Sequence, residues 1–94
     1  MVAGACRIIT HAADRLTYAE ACRLAGQAAD CGTAATVRIE LERTTDTTMG
    51  ALARLVVLRR QLLRRGVELR ITGLHGRARA LYEVNGLAGL LPTE

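Results

Sequence analysis

The sequence predicts one small α/β domain over residues 1–94, made of repeated strand-helix units, with a mostly parallel sheet and helices on one face. Three features of the residues predict it. Three short segments, Cys6 to Thr10, Thr36 to Glu42 and Val67 to Thr72, alternate in polarity with the period of two that a strand imposes. That alternation leaves a single apolar sheet face, whereas a parallel sheet covered on both sides reads as continuously apolar strands. Finally, each strand is followed by apolar residues at three-to-four spacing. A strand-helix order repeated three times implies parallel strands joined by right-handed crossovers.

In the second strand Val37, Ile39 and Leu41 oppose Arg38, Glu40 and Glu42, and in the third Val67, Leu69 and Ile71 oppose Glu68, Arg70 and Thr72. The first helix runs from about Thr17 to Cys31, opened by Asp14 or Thr17 as a cap and closed near Gly32. Its expected contact face is Tyr18, Ala21, Ala25 and Ala28 or Ala29, small enough for close approach but poor in buried area. The second helix spans about Met49 to Arg65 and stops at Gly66, a residue suited to a left-handed cap. Met49, Leu52, Leu55, Val56, Leu62 and Leu63 form its expected core stripe, and Arg64 and Arg65 complement the negative end of its dipole. A third helix covers about His75 to Val84 and ends at Asn85-Gly86. Leu87, Leu90 and Leu91 then make a last apolar turn, stopped by Pro92.

Composition narrows the function. Ninety-four residues support one modest core, and with no Phe or Trp that core is aliphatic. The basic residues are all Arg and the net charge is +4, yet only Tyr18 and Tyr82 are aromatic, so base-stacking platforms are missing. Arg59, Arg60, Arg64 and Arg65 spread around their helix instead of forming one stripe, and Glu40, Glu42 and Glu68 mix acidic charge into the surface. Nucleic acid is therefore not the expected partner. No apolar run has the length of a membrane span, and residues 1–5 lack the pattern of a secretion signal, which gives a cytoplasmic expectation without membrane insertion. Cys6, Cys22 and Cys31 are odd in number and show no CxxC spacing, so reduced thiols are expected rather than disulfides or a metal site. His11 is read as a loop residue and His75 as a helix start. With no Ser, no Lys and no phosphate-cradling glycine loop, the residues carry no catalytic constellation, and neither an enzyme nor a cofactor is expected.

Several pieces in a fixed order resemble the STAS family, the module of anti-sigma-factor antagonists, sulphate-transporter tails and some lipid-transport systems. They are Asp14 followed by Thr17, a strand like Val37 to Leu41, a polar loop, a long helix ending in Gly66, the stretch Val67-Glu68-Leu69-Arg70-Ile71-Thr72-Gly73-Leu74, and a closing helix leading to Gly86-Leu87. The resemblance implies helices on one sheet face, in agreement with the alternation. It also implies a phosphoacceptor where the family has Asp-Ser-Ser-Gly at the start of the second helix. By residue type Asp46-Thr47-Thr48 matches, making Thr48 the acceptor, with Thr47 beside it. By spacing from Leu41 and from Leu52, Leu55 and Val56, the motif falls on Thr48-Met49-Gly50-Ala51 and Gly50 takes the acceptor position. A slip of two residues rotates a helix by about 200°, which favours the spacing. Capping of the helix by Thr47 or Thr48, with Asp46 favourable at the positive end of the dipole, explains the same residues without phosphorylation.

The resemblance implies a non-catalytic protein-interaction module whose surface is Asp14 with Asp46, Thr47, Thr48, Met49 and Gly50. Its expected partner is a serine-kinase-type anti-sigma factor, making the chain an anti-sigma antagonist that controls transcription in a bacterium. The alternative is an accessory subunit of a transporter ATPase. Family members carry an extra strand beside the one corresponding to Cys6 to Thr10, and the shortness of the chain before Cys6 leads to a further expectation, a homodimer or an obligate partner at the edge of that first strand.

Overall fold

In a computed structural model that describes residues 5–94, the chain runs β1 (Cys6–Thr10), β2 (Arg15–Leu16), α1 (Tyr18–Ala29), β3 (Thr36–Glu40), β4 (Asp46–Thr47), α2 (Met49–Arg64), β5 (Glu68–Thr72) and α3 (Gly76–Val84), then a 3-10 turn at Leu87–Gly89. The main sheet has the order β1-β3-β5 and is parallel throughout, with Cys6 beside Thr36 and Thr36 beside Glu68. Ile9, Val37, Ile39, Leu69 and Ile71 point to the helices and are buried. The opposite face, formed by Cys6, Ile8, Thr10, Thr36, Arg38, Glu40, Glu68, Arg70 and Thr72, carries no helix and is exposed or half-buried. One covered face is what the alternation requires.

The helical layer corrects the expected stripes. In α2 the buried residues are Ala51, Leu52, Leu55, Leu58 and Leu62, while Val56 is half-buried against them and Met49 and Leu63 are exposed. At 100° per residue Met49 and Leu63 lie about 120° and 80° around the helix from Leu55, outside the arc that Ala51, Leu58 and Leu62 complete. In α1 the alanines behave as expected. Ala21, Ala25 and Ala28 are buried with Leu24, which lets α1 and α2 pack side by side, but Tyr18 points outward. The Arg65 guanidinium ties the far end of this pair by donating to the Ala29 carbonyl at 2.9 Å. Gly66 takes the left-handed conformation expected after α2, with φ +75°.

The C-terminus closes the β5 side. The Tyr82 hydroxyl donates to the Leu91 carbonyl at 2.8 Å, Leu87 and Leu91 are buried while Leu90 is exposed, and the Glu94 amide donates to the Ile71 carbonyl at 2.8 Å. Residues 93 and 94 thus lie along the outer edge of β5. A second, two-stranded parallel pairing, Arg15 with Asp46 and Leu16 with Thr47, was not expected from the sequence. Strands of two residues are too short to show a period. Among the described residues no helix is long and apolar enough to cross a membrane.

Candidate functional site

The site is assembled by the loops that leave β1 and β3. Where β1 ends, the His11 amide prolongs the ladder by donating to the Glu40 carbonyl at 3.1 Å. The imidazole turns inward and is buried, with Nε2 3.0 Å from the Arg15 carbonyl and 3.4 Å from the Glu20 carboxylate. A carbonyl partner requires the proton on Nε2. His11 is the loop residue the sequence suggested, but the turn from His11 to Leu16 is folded around its buried ring.

That turn is fastened to the segment entering α2. The Asp14 carbonyl accepts from the amides of Thr45 at 2.8 Å and Asp46 at 3.2 Å. The buried Thr44 hydroxyl donates to the Ala13 carbonyl at 3.0 Å, and the Thr47 hydroxyl donates to the Leu16 carbonyl at 2.9 Å. The Asp46 carboxylate holds its own loop, accepting from the Thr47 amide at 3.0 Å and lying 3.8 Å from the Arg15 guanidinium. Asp14 and Asp46, separated in the chain by β2, α1 and β3, thus share one corner.

Two helices begin at this corner. Thr17 caps α1 by accepting from the Glu20 amide at 3.2 Å, and Thr48 caps α2 by accepting from the Ala51 amide at 3.1 Å. Both N-termini open at the carboxyl ends of parallel strands, the side on which open α/β sheets place their sites. Tyr18 stands between them. Its ring lies against Gly50, so that a methyl at Gly50 would sit 3.6 Å from the ring. Its phenol pKa is raised, chiefly by a hydrogen bond with the Cys22 side chain. Tyr18 and Met49 are 57% and 38% exposed, giving an apolar centre flanked by Asp14 and Asp46.

The structure separates the two candidate threonines. Thr47 is buried and its hydroxyl is committed to Leu16, so it does not line the surface, and a phosphoryl donor could reach it only if the β2-β4 pairing opened. Thr48 is half-buried, outside that pairing, and serves as the cap. Gly50 is the second residue of α2 and exposed. Met49, expected both in the core stripe of its helix and on the partner surface, is exposed and lies outside the core. The residue that sequence reasoning missed is Tyr18, whose helical spacing matched the buried alanines. Its position next to the cap is the signal that it lies at an open end. Beside the surface, Asp46, Thr47, Arg77, Ala80, Leu81 and Val84 line a shallow groove along α3. No cluster of three or more His, Cys, Asp or Glu occurs among the described residues, and Cys6, Cys22 and Cys31 are free thiols.

No protein-family model and no curated protein sequence matches the chain. Solved structures do. A sulfate transporter family protein from Wolinella succinogenes superposes with a TM-score of 0.77 at 17% identity, over 92% of this chain and 70% of that one. The murine solute carrier 26 family member A9 anion transporter, in its inward-facing state, superposes with a TM-score of 0.74 at 14% identity, over 95% of this chain. There the match spans only 15% of the transporter chain. These matched regions are STAS domains, and at such identities they establish architecture alone: the chain has a STAS-type fold.

Proposed function

We propose that the chain is a non-catalytic protein-interaction module, and that it binds its partner through Asp14, Tyr18, Asp46, Thr48, Met49 and Gly50. One observation carries this reading: the corner that fastens Asp14 to Asp46 holds two helix starts and an exposed Tyr18-Met49 patch as one preorganised surface. A rigid aromatic residue at the centre of a polar rim is the pattern of a protein-binding anchor. The partner proposed first is a serine-kinase-type anti-sigma factor, which makes the chain an anti-sigma antagonist acting on transcription. Thr48 is the residue such a kinase would modify. With Gly50 at the spacing-matched position, the proposal also includes binding without phosphorylation.

A second reading has its own observation, since the structures the chain resembles belong to a sulfate transporter family protein and an anion transporter. Under it, the same surface docks on a membrane transporter. Affinity capture from host lysate with the wild-type chain and with Gly50→Arg, followed by mass spectrometry, tests both. A serine-kinase-type regulator retained by wild type and lost with Gly50→Arg supports the first reading. Transporter subunits with the same dependence support the second. Partners retained equally by the variant overturn the proposed surface.

A further inference from the structure

The two edges of the main sheet are unequal. Along the outer side of β5 the chain's own C-terminus is hydrogen-bonded, through Glu94 to Ile71. Along β1 the ladder to β3 fixes which backbone groups are used. The Ala5 carbonyl accepts from Ala35 and Thr36, and the His11 amide donates to Glu40, so residues 5, 7, 9 and 11 face β3. The N–H and C=O groups of Cys6, Ile8 and Thr10 therefore point away from the sheet, and among the described residues nothing pairs with them. The side chains of the same three residues lie on the helix-free face, where Ile8 is 51% exposed. An open row of donors and acceptors with an apolar residue at its centre is a template for another strand.

We propose that this edge pairs with β1 of a second copy, antiparallel, about a two-fold axis through Ile8. Symmetry selects the direction. In a parallel pair a residue on one strand bonds to the residues flanking its opposite number, an arrangement that a two-fold axis cannot relate. Charge and ladder phase select the register. With the axis at Ile8, Cys6 lies opposite Thr10 of the partner subunit and Ile8 opposite Ile8 of the partner subunit. All three outward residues then form doubly hydrogen-bonded pairs, and Arg7 faces Ile9 of the partner subunit. Moving the axis to Arg7 sets two guanidinium groups opposite each other, which is destabilising. Moving it to Ile9 carries Cys6 past the end of the partner strand. Since β5 is closed by residues 93 and 94, pairing stops at a dimer with a continuous six-stranded sheet. The two Asp14-Tyr18 surfaces then sit at opposite ends of that sheet, both free, so each dimer takes two partners far apart.

Sedimentation of the full chain from about 5 to 500 µM, a range suited to a small interface, is combined with amide hydrogen exchange at the same concentrations. The expected result is a monomer-dimer equilibrium in which the Cys6, Ile8 and Thr10 amides become protected as dimer forms. Ile8→Asp is expected to weaken association by roughly tenfold or more through like charge across the axis. The introduced carboxylate lies beside Arg38 in the β1-β3 register, which keeps the monomer folded, and an unchanged far-UV spectrum checks this. Ile8→Pro, which removes only an outward amide, is the second variant and should also dissociate the dimer. A monomer with fast exchange at these amides overturns the proposal. So does concentration-independent protection, which would mean the chain covers its own edge, and so does a dimer whose formation leaves these amides unprotected.

Discussion

Replacing Thr47 by Val tests the division of labour between the two threonines. Val keeps the shape of Thr but removes the hydroxyl, which donates to the Leu16 carbonyl at 2.9 Å in a buried setting. A buried hydrogen bond of this kind is worth about 0.5–1.5 kcal/mol net, and an acceptor left short of a partner adds to the cost, giving an expected loss of about 1.5 kcal/mol. For a domain of this size that lowers Tm by roughly 6–12 °C. The assay is urea unfolding followed by far-UV circular dichroism, in which the midpoint falls while the slope stays constant, because the surface exposed on unfolding is unchanged. Thr48→Val provides the comparison. It removes the cap bond to the Ala51 amide and should cost about 1 kcal/mol, while altering the surface itself. A Thr47→Val protein within about 0.3 kcal/mol of wild type would refute the reasoning. The hydroxyl would then be uncommitted, and Thr47 would return as an acceptor equal to Thr48.

Three further outcomes follow from the geometry. Gly50 sits in helix, with a methyl's nearest neighbours at 3.6–3.9 Å, so Gly50→Ala should raise stability by about 0.5–1 kcal/mol in the same unfolding assay. Gly73 has φ +77° and a Cβ there would lie 2.8 Å from the Glu42 backbone nitrogen, so Gly73→Ala should cost more than about 2 kcal/mol and broaden the amide spectrum around Glu42. Tyr82→Phe removes the hydroxyl that donates to Leu91 at 2.8 Å. It should cost about 1 kcal/mol in calorimetry and speed exchange of the Glu94 amide, which the same C-terminal segment carries.

The candidate surface was partly legible. Asp14 and the segment from Asp46 to Gly50 were singled out through the resemblance to the STAS family, and their meeting through the Asp14 carbonyl is a tertiary fact. The choice between Thr47 and Thr48 was not legible, because both have the same side chain. What distinguishes them is a two-residue strand pairing that gives no periodic signal. The exposure of Tyr18 and the burial of the loop residue His11 were missed for a related reason. Spacing assigns a side chain to a helix face, but it does not say where along the helix the neighbouring element ends. Tyr18 lies at the first turn, at the open end of the α1-α2 pair, while His11 is drawn inward by a carbonyl four residues later.

By itself the sequence determined the three main strands, the one covered sheet face, the order of strands and helices and the glycine stop after α2, because these follow from local polarity and backbone preference at each residue. Only the tertiary structure decided which α2 residues form the core, which threonine is free, that Tyr18 stands beside Gly50, and that β1 offers its outward amides while β5 is closed by residues 93 and 94. These depend on contacts between residues more than twenty apart in the chain or on where a neighbouring element ends. No window of local sequence contains that information.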